Sequence, residues 1–482
     1  MKKFLTFILG ISLSFGGNAE AEEVFKINLQ DAINLALKNN RTIEQAAEDR
    51  EIARWNLSAV RRSYGPKINW SSSWNKIGGR YYGDSRSNRK MIDAMSEEER
   101  QIFFAQNNRR YSDFPSYKSE NYNSINLQMP IYTGGRLESQ KKSAKYNLNY
   151  SDLLLENSRQ EIKWNTSEAY FQVLQDIDLM KVRQEELNYL YEHLRTVQIQ
   201  YEVGTVAMSD VLATNVQIAN SQHSLNATRA SYENAVSTLN NILGLPVDTH
   251  LVVEEHLDFT PYKESEEFCL NYALNHRPDG IAANYAVKSS EEMINTAKSE
   301  MRPNISAVAS GTFSGEGAFK ADHDAERWAA GVQLNWSLFD NNVTSAQVKR
   351  AKSALKKAES QAKQQSEKIR LEVHNAYTNL KIAEQNIEIN SNAVKQAEEQ
   401  CIIAKVRYEE GVDTNLNFMN ASEKLTQAKT NYFYAIYAYH TSWAQLEKAM
   451  GVPIEIDASL YNEAVENGKK SEKALEIARI GD

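Results

Sequence analysis

A chain of 482 residues with a formal net charge of −8 and a pI near 5.7 lacks the clustered basic face that a nucleic-acid partner requires. With 8 prolines and 20 glycines, breakers are too scarce for a string of small domains, so long uninterrupted elements are expected. The two cysteines, Cys269 and Cys401, allow one disulfide in an oxidising compartment but no disulfide framework.

The amino terminus reads as a secretory signal over 1–21: Lys2-Lys3, the apolar run Phe4 to Phe15, and Ala19-Glu20-Ala21 as cleavage site, with the mature chain starting at Glu22. That run is shorter than the ~20 residues of a membrane span, and no other segment approaches it. An exported chain of this kind enters a membrane only as a β-barrel or part of one. Segment 22–66 is expected to hold two helices, Leu29 to Leu37 and Ile43 to Val60, stopped at Tyr64-Gly65-Pro66 because proline cannot continue a helix.

The period then changes. Over 67–133, Ile125, Leu127, Met129 and Ile131 alternate with Ser124, Asn126, Gln128 and Pro130. They follow a shorter run, Ile68, Trp70, Ser72 and Trp74, and the two together predict an antiparallel hairpin. Its long polar loop, 78–118, holds a short helical piece around Met91 to Phe104. Segment 134–244 becomes helical: Leu187, Leu190, Leu194, Val197 and Tyr201 step by 3 and 4 as a heptad seam. Arg136 to Tyr201 would run roughly 100 Å at ~1.5 Å per residue, and Gly204 marks a hairpin tip in the position where left-handed caps are common. After a joint at 245–303 the pattern recurs. A hairpin at 304–340 alternates Trp328, Ala330, Val332, Leu334, Trp336 and Leu338 with small or polar residues. A helical hairpin at 341–451 carries an alanine stripe through Ala351, Ala354 and Ala358 and a tip at Gly411. The C-terminal segment is 452–482.

This recurrence is a duplication. Tyr201-Glu202-Val203-Gly204 returns as Tyr408-Glu409-Glu410-Gly411, and the offset of 207 also joins Ala169-Tyr170 to Ala376-Tyr377, Gly244 to Gly451 and Pro246 to Pro453. Upstream the offset is 237, joining Ala36-Leu37 to Ala273-Leu274 and Pro66 to Pro303, so the first copy carries 30 extra residues between Pro66 and Pro130. Such a period is too long for a solenoid. Aromatics such as Trp70, Trp74, Tyr122, Tyr132, Phe313, Trp328, Trp336 and Phe339 bracket runs close to the ~10 residues of a transmembrane strand. Alone, these strands fit a half-buried sheet of a soluble protein as well. Two hairpins give four strands, however, and the smallest membrane barrels have eight. Two copies would make a solid barrel, whereas three would make twelve strands around a lumen.

Catalytic chemistry finds no footing. His193, His223, His250, His256, His276, His323, His374 and His440 show no metal-ligand spacing. No GxSxG, phosphate loop or helix-opening GxGxxG is present. No enzyme, cofactor or metal site is expected. A periplasmic or secreted coiled-coil scaffold would explain the heptads but not the duplicated period-2 segments, and a passive porin would lack the long helices.

The duplicated layout, the Ala-Leu elements at Ala36 and Ala273, the twin Tyr-x-x-Gly tips and the twin Gly-x-Pro ends resemble the TolC-like outer membrane efflux proteins over essentially the whole mature chain. The resemblance implies a mainly α fold with a membrane β-barrel portion. In a homotrimer, duplicated long antiparallel hairpins would form an α-barrel, and four strands per protomer a twelve-stranded β-barrel, with an equatorial girdle from the middle and C-terminal segments. It further implies an export duct of a tripartite efflux or type I secretion system in a Gram-negative outer membrane, extending into the periplasm. Its partners would be outer membrane lipid, a periplasmic membrane-fusion adaptor and an inner-membrane pump of RND, ABC or MFS type.

Carried over residue by residue, the adaptor-contacting tips are Tyr201, Gly204 and Asp210 with Tyr408, Gly411 and Asn417. The periplasmic gate is Asp210, Tyr408, Glu409, Glu410, Asp413, Asn417 and Asn420. This chain departs from the family at two places: the tip-locking arginine is replaced by Asp413, and the two aspartate rings by Asn417 and Asn420. Closure is therefore expected to rest on packing, on hydrogen bonds from Tyr408, Asn417 and Asn420, or on bound cations. Asp413→Arg is expected to tighten it by giving Asp210 a partner.

Overall fold

The computed structural model describes residues 25–78, 91–107, 117–253, 257, 259–316 and 326–454. The expected signal at 1–21, the ends of the loop at 78–118 and the segment from 455 onward lie outside the described residues. The chain divides into two compact units, one of 1–51, 149–285 and 359–482, the other of 52–148 and 286–358.

The first unit shows the duplication bond by bond. Helix α1 (Leu29–Asn39) begins where the Asn28 side chain accepts the amide of Asp31, and a later helix, Glu266–His276, begins where Ser265 accepts that of Phe268. The elements between, in chain order, are α2 (Arg41–Arg62), α3 (Glu97–Asn107), α4 (Arg136–Glu202) and α5 (Met208–Leu243), so the later helix is α6. It is followed by α7 (Pro278–Lys298), α8 (Val343–Glu409) and α9 (Asn415–Met450). The long helices α4 and α8 have 67 residues each and the return helices α5 and α9 have 36 each.

Tyr170 Oη donates to the carbonyl of Ile27 at 3.2 Å, and its counterpart Tyr377 to that of Glu264 at 3.4 Å. Where the return helices end, Asn40 Nδ2 donates to the Ile242 carbonyl and Arg277 Nη1 to the Ala449 carbonyl, at 3.0 and 3.2 Å. The same orphan carbonyl of a C-terminal turn is thus satisfied twice, by two different side chains. Burying Arg277 requires its charge to be matched, and Asp279 and Glu372 each approach it at 2.6 Å. Apolar clusters fill each copy: Ala36, Tyr170, Val173, Leu239 and Leu243 in the first, Ala273, Ile369, Val373, Leu380 and Leu446 in the second. Cys269 and Cys401 are both buried free thiols.

Two sequence expectations need correction here. The heptad seam runs through Leu187, Leu190 and Val197, all buried, but Tyr201 is 45 % exposed because α4 stops one residue later. The joint, expected without a strand, contributes β4 (Leu251–Val253), which pairs in parallel with β1 (Phe25–Ile27) of the N-terminal segment; no pattern announced either, because three residues are too few to show a period.

In the second unit the remaining strands, β2 (Lys67–Gly78), β3 (Tyr117–Tyr132), β5 (Asn304–Glu316) and β6 (Arg327–Asn335), form one antiparallel sheet in the order β2-β3-β5-β6. The register places Ile68, Trp70, Ile125, Leu127, Met129, Ile305, Ala307, Val332 and Leu334 on one face, and Ser71, Ser124, Asn126, Gln128, Ser306, Ser310 and Gln333 on the other. On the apolar face the large side chains stand open, Trp328 at 85 %. A bulge between Pro130 and Tyr132 shifts Tyr132 opposite Ile305 and so onto the apolar face. The alternation expected to reach Leu338 ends at Asn335. There Trp336 Nε1 donates to the Met301 carbonyl at 3.1 Å, and the chain turns through Asn341 and Asn342 at positive φ.

Gly451 ends α9 at φ 71°, and a Cβ there would lie 2.9 Å from the Arg277 backbone, whereas Gly411 at φ 72° has nothing within 4 Å. Gly411→Ala should carry only the left-handed penalty of about 1–2 kcal/mol. Gly451→Ala should lower the melting temperature of the detergent-solubilised protein clearly further. Equal losses would show that the elbow at Arg277 yields.

Candidate functional site

Both hairpin tips end in the same backbone device. Gly204 N bonds to the Tyr201 carbonyl and Thr205 N to that of Gln200, both at 2.9 Å. Gly411 N and Val412 N repeat this on Tyr408 and Arg407 at 3.0 and 2.9 Å. Each is a Schellman cap, with the glycine at φ 79° or 72° satisfying the last carbonyls of a 67-residue helix. The side chains then diverge. Helix α9 is capped by Thr414, whose hydroxyl accepts the amide of Asn417, whereas α5 starts at Ala207 with no side-chain cap.

Asp413 has partners within its own tip. Its Oδ1 accepts from Asn417 Nδ2 at 2.6 Å and from Thr414 N at 2.8 Å, and its Oδ2 lies 3.4 Å from Arg407 Nε. The Asn417 amide, then the Thr414 amide and the Arg407 charge, hold this carboxyl below the usual range. An arginine at 413 would meet the like charge of Arg407 and leave these donors unmatched, so the tightening expected of Asp413→Arg loses its basis. Glu409, Glu410 and Asn420 are exposed, and Asp210 is half-buried.

Tyr408 is only 4 % exposed, unlike its counterpart Tyr201. It packs with Val197, Val211 and Phe418. Its hydroxyl has no hydrogen-bond partner among the described residues, so within a protomer it packs rather than bonds. Burial, and then the charge of Asp210, push the phenol up.

The polar centre of the tip is a residue that spacing rules passed over. His193 is buried with its ring centroid 4.0 Å from Phe418 and 5.0 Å from Tyr408, and its Nε2 lies 2.7 Å from Asn415 Oδ1. The Asn415 amide is occupied in donating to the Asp210 carbonyl at 3.2 Å and to Thr214 Oγ1 at 3.3 Å. Its Oδ1 must therefore accept, which places the imidazole proton on Nε2. One buried set thus ties α4, α5 and α9 together. The available signal was position: His193 stands three residues after Leu190 and four before Val197, on the apolar seam. Burial pushes the imidazole below its ordinary value. The Asn415 bond opposes this, Lys405 adds to it and Glu409 counters it. A second buried titratable group, Glu186, is pushed up by burial, against the opposing effects of Arg183 and Ser221.

A four-stranded sheet whose outer strands have no partner among the described residues, carried with duplicated helical hairpins, defines the protomer of an oligomeric membrane channel. The chain belongs to the outer membrane efflux protein family, which matches it over residues 32–245 and 269–452. It is 23% identical over 464 residues to the alkaline protease secretion protein AprF of Pseudomonas aeruginosa, covering 95% of this chain and 91% of that protein. To the outer membrane protein TolC of Escherichia coli it is 22% identical over 479 residues, covering 96% and 90%. Among solved structures, the Campylobacter jejuni CmeC outer membrane channel superposes with a TM-score of 0.75 at 17% identity, covering 94% of this chain and 90% of that one. The Vibrio cholerae outer membrane protein VceC gives 0.71 at 16%, covering 88% and 96%. Both share the fold.

Because the His193 value is depressed in the folded state, the stability carried by its neutral form is complete above the unfolded value of about 6.5 and is lost as pH falls through the folded one. Wild type should therefore lose more melting temperature between pH 7.5 and pH 5 than His193→Gln, which cannot gain the proton. Parallel losses would remove His193 from the account.

Proposed function

We propose that three copies of this chain form an outer-membrane export duct whose mouth is the set of helix tips, opened by a periplasmic adaptor and fed by an inner-membrane pump. The observation that supports this most is the pair of identical Schellman tips carrying exposed apolar side chains, Val203 and Val412 both at 68 %. A tip destined only for water has no use for them, whereas a docking partner buries them. On this reading Tyr201 to Asp210 and Tyr408 to Asn417 receive the adaptor. Glu409 and Glu410 line the gate, and the segments 22–66, 245–303 and 452–482 contribute to the girdle. The duct works without catalysis. Tyr408 contributes to closure through the packing of its tip, and Asp413 by organising its own turn with Arg407 and Asn417 rather than by repelling Asp210. Cargo of the kinds handled by the relatives, small toxic molecules or a secreted protein, fits the same duct.

Extraction from outer membranes followed by native mass measurement should give a trimer; a soluble monomer or a detergent dimer would refute the duct.

Asp413→Ala should release the Asn417 side chain, the Thr414 amide and Arg407 together, and so loosen the mouth. In planar bilayers this variant should conduct more than the parent. Unchanged conductance would show that the turn does not limit flow.

A further inference from the structure

The helix ends and turns that adjoin the sheet in the second unit carry a charge opposite to that of the whole chain. Across 52–66, 133–148, 286–303 and 336–358 there are fifteen lysines and arginines against five aspartates and glutamates, in a chain whose net charge is −8. Two of the five acids are already committed. Glu292 faces Lys142 at 3.6 Å, and Asp340 accepts the amide of Thr344 at 2.8 Å to start α8.

The bases lie on the open side of their helices. In α8, Lys349, Arg350, Lys352, Lys356 and Lys357 are exposed, whereas Thr344 is buried and Val348, Ala351, Leu355 and Ala358 are half-buried. At 100° per residue these sets fall on opposite faces. By the ~1.5 Å rise, Lys349 and Lys357 stand about 9 and 21 Å along the helix from Val343. Immediately before that start, Leu338 and Phe339 are 80 and 83 % exposed, beside Trp336 and Met301.

An exposed apolar and aromatic rim followed within a few turns by long basic side chains is the pattern of a membrane surface, where stems lie along the acyl boundary and heads reach lipid phosphate. We propose that this basic collar binds anionic phospholipid headgroups of the periplasmic leaflet of the outer membrane. The proposal rests on the sheet being the membrane-embedded part of the duct. Charge complementarity and continuity with the apolar rim select lipid over a soluble anion.

The test uses the full-length protein in nanodiscs of phosphatidylethanolamine with a minor share of phosphatidylglycerol. Native mass spectrometry reads the lipids that the trimer retains on release. Assembly as a trimer in the disc checks the membrane reading by itself, and a protein that fails to enter the disc refutes that reading rather than the collar. Wild type should retain phosphatidylglycerol above its bulk share, and the excess should fall when salt is raised from about 0.1 to about 0.5 M. The variant K349E/R350E/K352E/K356E/K357E should lose the excess about tenfold or more. The milder K349Q/K352Q/K356Q, which keeps helix-forming side chains, should give an intermediate value if reversal impairs assembly. No excess in wild type would overturn the proposal. So would a variant that keeps the excess while its single-channel selectivity moves toward cations, because the bases would then line the lumen and meet cargo.

Discussion

The two outer strands of the sheet, β2 and β6, each present one row of backbone donors and acceptors with no partner in the protomer among the described residues. In water such edges are tolerated. In hydrocarbon each unsatisfied group costs several kcal/mol, and only closed barrels or helices avoid that cost. The apolar face of this sheet makes hydrocarbon its solvent, so the edges must be joined. In the order β2-β3-β5-β6 the strands alternate in direction, so β6 of one copy runs antiparallel to β2 of the next and the ladder continues without interruption. Oligomerisation is in this sense a backbone hydrogen-bond requirement.

Duplication supplied the parts, and the two copies have since diverged around conserved tasks. The Tyr170 and Tyr377 hydroxyls make the same bond, and the Asn28 and Ser265 caps make the same start. Asn40 and Arg277 do the same work with different chemistry, and the longer cationic side chain brings Asp279 and Glu372 in with it. At the tips the divergence is greater. Tyr408 is buried beneath a threonine-capped turn, while Tyr201 lies open beside an uncapped one. The two hairpin tips are therefore unequal, with one organised internally and the other more exposed.

Long helices packed through leucine and alanine seams have little to fix their axial register, because neighbouring turns look alike. Interhelical polar pairs with at least one buried member reduce that ambiguity, since a slip by one turn leaves a donor or acceptor unmatched. His193 with Asn415, Asp176 with Ser231, and Tyr437 with Asp178 all occur between helices of the first unit. The His193–Asn415 pair is the fully buried one, and it aligns α4 with α9.

The sequence by itself determined the architecture. The 207-residue offset, the change from period two to heptad, and the four-strand shortfall were all readable because each repeats over many residues or is a matter of counting. The family, the mainly α fold with a barrel portion and the absence of a disulfide framework belong to that layer. Tertiary structure decided what depends on which groups meet. Asp413 meets Asn417, Thr414 and Arg407, the last six residues earlier across a glycine turn, and a carboxylate so partnered cannot be told from an open one until the turn closes. Tyr201 and Tyr408 occupy matching places in matching motifs, yet one is exposed and the other buried, because burial is set by the packing around each tip. His193 looked like one of eight unremarkable histidines until three helices converged on it. Long-range periodicity survives in one dimension, whereas a contact made between distant helices exists only once the chain has folded.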